Sequence, residues 1–199
     1  MVEKLASIIL ATPWQEWTAV AAAIIYVVLA ARENIWCWPF GAISSSLYTY
    51  LCWYEWNLKL ETILQVFYLV MAFYGWYEWK FGQRKKSELK IVSWNFKKLL
   101  PGLIICSITV PLAGWMFASY TTTSIPFFDA FTTVFSFWAT FLVARKILET
   151  WVIWVIIDFA SIFLYGMREA YLTALLFIAY TIIAAIAYFQ WRKLMQQKA

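Results

Sequence analysis

Apolar residues along this chain come in blocks of about twenty, separated by short polar or basic breaks. Seven blocks can be drawn, at 14–32, 36–54, 60–80, 99–118, 127–144, 150–167 and 170–191. Each is close to the roughly 20 residues that a helix needs to cross a bilayer core of about 30 Å. The breaks are polar or charged: Arg32-Glu33-Asn34, Asn57-Leu58-Lys59, the basic run 83–90, the polar run 120–124 before Pro126, Arg145-Lys146 and Arg168-Glu169. Short connections make consecutive helices antiparallel neighbours. The pattern predicts an all-α membrane protein with seven transmembrane helices, forming a single transmembrane domain over 1–199. Ahead of the first block, 1–12 reads as a short interfacial helix, cut off by Pro13.

Composition strengthens this picture. Hydrophobic residues make up 64% of the 199 positions and charged residues only 14%, where a soluble domain carries about 25% charged. The basic residues then set an orientation. With the C-terminus in the cytoplasm, Arg32, Lys80, Arg84, Lys85, Lys86, Lys90, Lys97, Lys98, Arg145, Lys146, Arg192, Lys193 and Lys198 all lie inside, and only Lys4, Lys59 and Arg168 outside. The expectation is a multi-pass membrane protein with its N-terminus outside and its C-terminus in the cytoplasm. The net charge of +5 suits a rim facing anionic lipid and does not require nucleic acid.

A second regularity lies inside the blocks. "LQVFYLVMAFYGWYEWK" (64–80) and "LFIAYTIIAAIAYFQWR" (176–192) match at an offset of 112. Leu64 meets Leu176, Tyr68 meets Tyr180, Ala72 meets Ala184 and Trp79 meets Trp191. Upstream, "WPFGAISSSLY" (38–48) resembles "WVIIDFASIFLY" (154–165), which pairs Trp38 with Trp154. Two triplets of helices keep the same orientation only if one helix separates them, and the fourth block supplies it. This predicts 3+1+3 parallel repeats of three-helix bundles: repeat one at about 14–80, a linker helix at about 99–118 and repeat two at about 127–191. Such a plan is used by SWEET transporters, with the substrate near mid-membrane between the repeats. Trp79 and Trp191, each beside a basic residue at a block end, read as interfacial anchors.

Polar residues inside the blocks are costly in lipid and therefore informative. Asp158 sits about halfway along the sixth block, and Trp151, Trp154 and Asp158 share one helical face by their spacing. Two indoles and a carboxylate can cage a flat or cationic ring by stacking and cation–π attraction. Gln65 and Tyr68 form a second stripe, with Gln65 able to donate and accept hydrogen bonds or to serve as interhelical glue. Tyr48, Tyr165 and Tyr180 are candidates for cavity lining or plain packing. The run Ser44-Ser45-Ser46 beside Gly41 reads as close helix packing, and Asp129 as an acid at a helix N-terminus. Three scattered cysteines and no histidine argue against a metal site or cofactor, and no nucleophile–base set is present. The reading is a non-enzyme that recognises and passes a small polar ring compound. A seven-helix receptor or assembly partner is the alternative of another class.

In combination, "LQVFY", "YGWYEW", "ARKILETWVIWVI" and "YGMREAYL" resemble the PnuC family of bacterial vitamin transporters, over about residues 34–191. The resemblance implies a SWEET-related seven-helix fold in a bacterial inner membrane and uptake of nicotinamide riboside by facilitated diffusion with alternating access. It also implies trapping by a cytoplasmic kinase. Thiamine, or another B vitamin such as riboflavin, is the runner-up substrate, and a homo-oligomer is compatible with the reading. Binding residues implied by motif match are Gln65, Tyr68, Trp151 and Trp154, joined by Asp158 and Tyr180, with Trp76 and Tyr77 as a gate at the cytoplasmic mouth. Nicotinamide riboside members tend to carry Asn where this chain has Asp158 and Ala72, a difference that bears on which vitamin is preferred.

Overall fold

Every apolar block forms a helix in the computed structural model, which describes residues 13–55, 59–82, 89–121, 123–168 and 171–197. The expected interfacial helix at 1–12 and most of the basic run at 83–90 lie outside the described residues. The helices are α1 (Trp14–Ala31), α2 (Cys37–Tyr50), α3 (Lys59–Phe81), α4 (Phe96–Tyr120), α5 (Pro126–Ala144), α6 (Thr150–Met167) and α7 (Tyr171–Gln197). Five of them, α1 and α4 to α7, are long and apolar enough to cross a membrane. At 14 residues α2 is short, and a π-helical turn at Leu51–Glu55 extends it. The 23 residues of α3 are long enough, but they mix Glu61, Gln65, Glu78 and Lys80 with many Tyr and Trp.

Local chemistry marks the ends. Pro126 opens α5 at a position where a missing N–H costs nothing. The Asn95 side chain caps α4 by accepting from the Lys98 N–H at 3.1 Å. Two prolines, Pro101 and Pro111, lie within α4, and α4 packs on α5. Isoleucines 104, 105 and 108 and Leu112 of α4 are at least half exposed, as are Ile156, Phe159 and Phe163 on α6 and Ile182 and Phe189 on α7. An apolar outer surface of this kind is what lipid tails require of a membrane protein.

Neighbouring helices pack in the order α1, α2, α3, α5, α6, α7 and back to α1, so six helices close a ring and α4 stands outside it against α5. One face of the ring carries the α1–α2 and α5–α6 connections and the ends of α3 and α7. There both connections form the same turn. Glu33 N–H donates to Ala30 O and Asn34 N–H to Leu29 O, while Lys146 N–H donates to Val143 O and Ile147 N–H to Leu142 O. Glu33 and Lys146 both take positive φ, 57° and 51°, the left-handed residue that ends a helix in a Schellman-type turn. The two side chains then meet, with Lys146 Nζ 2.9 Å from Glu33 Oε1 and both side chains less than a tenth exposed.

The core at this face is a row of four indoles. Trp38 meets Trp79 edge-on at 5.5 Å, Trp79 lies 6.0 Å from Trp191, and Trp191 meets Trp151 edge-on at 5.3 Å. Trp79 and Trp191 are 2% and 0% exposed, so they are not the interfacial anchors expected from the sequence. Each crosses the ring instead: Trp79 Nε1 donates to Val143 O at 3.2 Å and Trp191 Nε1 to Ala30 O at 3.0 Å. The reason is that an indole N–H can be buried once it has an acceptor, and the two helix C-termini offer carbonyls there. Gly75 is part of the same packing. A Cβ at that position would lie 2.2 Å from the Trp38 ring, so only glycine lets the indole lie on the α3 backbone.

Candidate functional site

The ring of helices surrounds a cavity of about 410 Å³, within the range of small-molecule sites. Its wall gathers all six residues singled out on sequence grounds: Gln65 and Tyr68 from α3, Trp151, Trp154 and Asp158 from α6, and Tyr180 from α7. Asp158 is 4% exposed and Trp151 3% exposed, which places both inside the protein rather than at the lipid boundary. The i, i+3, i+7 spacing on α6 is what turns these three toward the same space.

Trp76 and Tyr77 are not among the wall residues. They are 37% and 62% exposed, and the Lys80 ammonium sits 5.5 Å from the Trp76 ring. They lie on parts of the α3 surface turned away from the ring's interior, while buried Gly75 is the α3 residue that faces Trp38.

Several wall residues carried no functional signal in the sequence or were read as packing. Trp38, Gly41, Ser44 and Ser45 from α2 and Tyr26 from α1 all line the cavity. Trp38 is 2% exposed and tilts against Tyr26 at 5.9 Å. Ser44 does serve packing, since its hydroxyl donates to Ala19 O at 2.9 Å, while Ser45, also buried, faces the same cavity. A lone Tyr on an apolar helix gives no periodic signal, so Tyr26 could not be found that way. Trp38 could have been, had it been aligned with Trp151 rather than with Trp154. Tyr48 and Tyr165, left open between lining and packing, line the cavity as well.

The wall therefore holds five tyrosines, three tryptophans, Gln65 and a single carboxylate, with no lysine or arginine among its described residues. Such a surface can stack against a flat ring, hydrogen-bond neutral polar groups, and oppose one positive charge. It offers nothing to neutralise a phosphate. Asp129, at the first turn of α5, is elsewhere. It accepts from the Thr123 hydroxyl and from Arg168 Nη2 at 2.6 Å, tying the start of α5 to the end of α6 at the opposite end of the ring.

Known proteins agree with this architecture. The nicotinamide riboside transporter PnuC of Escherichia coli (strain K12) is 28% identical over 196 residues, covering 86% of this chain and 82% of its own. The riboflavin/roseoflavin transporter RibM of Streptomyces davaonensis is 24% identical over 155 residues, covering 75% and 70%. A crystal structure of the vitamin B3 transporter PnuC shares the fold, with a TM-score of 0.76 and 21% identity over 100% of this chain and 88% of that one. The family model described as nicotinamide mononucleotide transporter matches residues 13–193. On that match the chain belongs to the nicotinamide mononucleotide transporter family, a family of membrane transporters.

Proposed function

We propose that this protein carries nicotinamide riboside into the bacterial cytoplasm by facilitated diffusion with alternating access. The observation that carries the reading is the cavity wall: indoles and one carboxylate for a flat pyridinium, Gln65 and hydroxyls for the amide and sugar, and no lysine or arginine among the described residues. Relatives named as riboside transporters give the same chemistry. A nucleotide differs from its riboside by a phosphate, and an unpaired phosphate beside Asp158 would be strongly disfavoured. Trapping by a cytoplasmic kinase follows from the same logic, because the phosphorylated product no longer suits the cavity. Binding to the purified protein tests this. Nicotinamide riboside should bind at least about 100-fold more tightly than the mononucleotide, equivalent to about 2.7 kcal/mol. Equal affinities, or preferential binding of thiamine or riboflavin, would refute the assignment.

The transport cycle rests on a 3+1+3 repeat, in the SWEET-like arrangement, with one transmembrane domain. Its support is an offset of 113 that runs through the α1–α2 and α5–α6 turns. Cys37 N–H donates to Asn34 O and Thr150 N–H to Ile147 O; Trp38 N–H donates to Ile35 O and Trp151 N–H to Leu148 O. The matching contacts pair Trp38 with Trp151, not with Trp154 as the sequence comparison had it. At the shared face the repeats hold one another through Glu33–Lys146 and through the two crossed indole bonds. With the basic face in the cytoplasm, this is an arrangement closed to the cytoplasm, and rocking the two triplets apart would open it. The cycle needs no ion gradient: uptake into liposomes should run downhill and ignore imposed proton or sodium gradients.

A further inference from the structure

The cavity wall is built twice, and the places where the two copies differ are informative. Trp38 and Trp151 correspond at the offset of 113, while Tyr68 corresponds to Tyr180 and Ala72 to Ala184 at 112, and all six line the cavity. Three of the positions that differ between the copies bear most on the chemistry of the wall. Gly41 stands where the second half has Trp154, Ser45 where it has Asp158, and Tyr26 where it has Ala139. The first and third differences compensate. A Cβ on Gly41 would meet the Tyr26 ring at 3.0 Å, so the phenol lies on the bare α2 backbone. In the second half the small residue is on α5 and the aromatic one on α6.

The two halves thus offer different chemistry. The α6 side presents an indole and a carboxylate, suited to a flat cation. The α1–α2 side presents a phenol and a hydroxyl, Tyr26 and Ser45, which donate and accept hydrogen bonds without charge. Both of these residues line the cavity, and Ser45 is only 5% exposed. The Tyr26 ring is held between Gly41 and the Trp38 indole, so its hydroxyl is fixed in direction and needs little ordering on binding.

We propose that Tyr26 and Ser45 form the subsite for the hydroxyl-bearing arm of the substrate, with Gly41 as the residue that seats Tyr26. Tyr26 then makes the transporter favour a glycoside of a cationic base over the base alone. This rests on the riboside reading above and adds a determinant on α1 and α2 to those on α3, α6 and α7.

The test is titration of the purified full-length protein with nicotinamide riboside and with 1-methylnicotinamide, the same cationic ring bearing a methyl in place of the sugar. Tyr26→Phe keeps the ring and removes the hydroxyl. It should lower the riboside-to-methyl preference by about 5-fold, the value of one neutral hydrogen bond, with 1-methylnicotinamide affinity unchanged within about twofold. Ser45→Ala should act in the same sense, and so should Gly41→Ala, whose Cβ would shift the Tyr26 ring by a few tenths of an ångström. A preference unmoved by both Tyr26→Phe and Ser45→Ala, or an equal loss for both ligands, overturns the subsite. If the unaltered protein does not bind nicotinamide riboside, the transport assignment falls and the subsite with it; if it binds and only the preference fails to respond, the subsite alone is wrong.

Discussion

Replacing Lys146 with Met removes the ammonium from the buried pair it makes with Glu33 at 2.9 Å. The thioether can still fill much of the space over the Trp79 ring, which the Lys146 Nζ approaches to 4.5 Å. Breaking a buried ion pair by removing one partner costs about 3–5 kcal/mol. That cost falls on the closed arrangement alone, because in an open one water solvates the Glu33 carboxylate. At tenfold per 1.4 kcal/mol, even the lower figure shifts the closed-to-open ratio by about a hundredfold. A native reporter sits one helical turn from Glu33 in sequence: Cys37, which is fully buried. With Cys52 and Cys106 replaced by Ala, Cys37 in Lys146→Met should react with a maleimide at least about tenfold faster than in the Lys146 parent. The exchanged pair Glu33→Lys/Lys146→Glu should restore much of the protection, and nicotinamide riboside should still bind, which separates opening from unfolding. Unchanged labelling of Cys37 in Lys146→Met, in a protein that remains folded, would refute the idea that this pair holds the face shut.

Trp154→Ala should weaken nicotinamide riboside binding by at least about tenfold, since stacking and cation–π contact are each worth about 1 kcal/mol or more in a desolvated site; normal titration of the variant would remove the indole from the site. Asp158→Asn should lower the preference for cationic nicotinamide riboside over its neutral dihydro form by at least about tenfold, in line with the loss of a charged interaction of about 1.5–3 kcal/mol, and an unaltered preference would make Asp158 structural. Gly75→Ala should destabilise the protein by about 1–3 kcal/mol or more through the clash with Trp38, read as a lower thermal midpoint in detergent; an unchanged midpoint would show that α3 and the indole separate freely.

How far the sequence reached depended on the kind of signal. Its apolar blocks determined the number and rough limits of the helices, because lipid forces every spanning backbone to satisfy its own hydrogen bonds and leaves helices as the solution. The α6 face was legible because Trp151, Trp154 and Asp158 lie at helical spacing and a carboxylate in an apolar block is costly enough to stand out. Gln65 and Tyr68 stood out for the same reason on α3. The stretch at 74–80 shows the limit. The sequence offers Trp79 as an interfacial anchor, yet Trp79 is buried and bonded across the ring, Trp76 and Tyr77 face outward, and Gly75 makes room for a residue 37 positions earlier. Only packing distinguishes an indole that faces lipid from one that finds a carbonyl, since both sit at helix ends beside a basic residue. Tyr26 and Trp38 joined the cavity through contacts with other helices that no local pattern encodes. The Glu33–Lys146 pair likewise needed two distant turns to be brought face to face. One chain order therefore specifies the helices by their solvent, while which of their residues meet is decided by how six of them close into a ring.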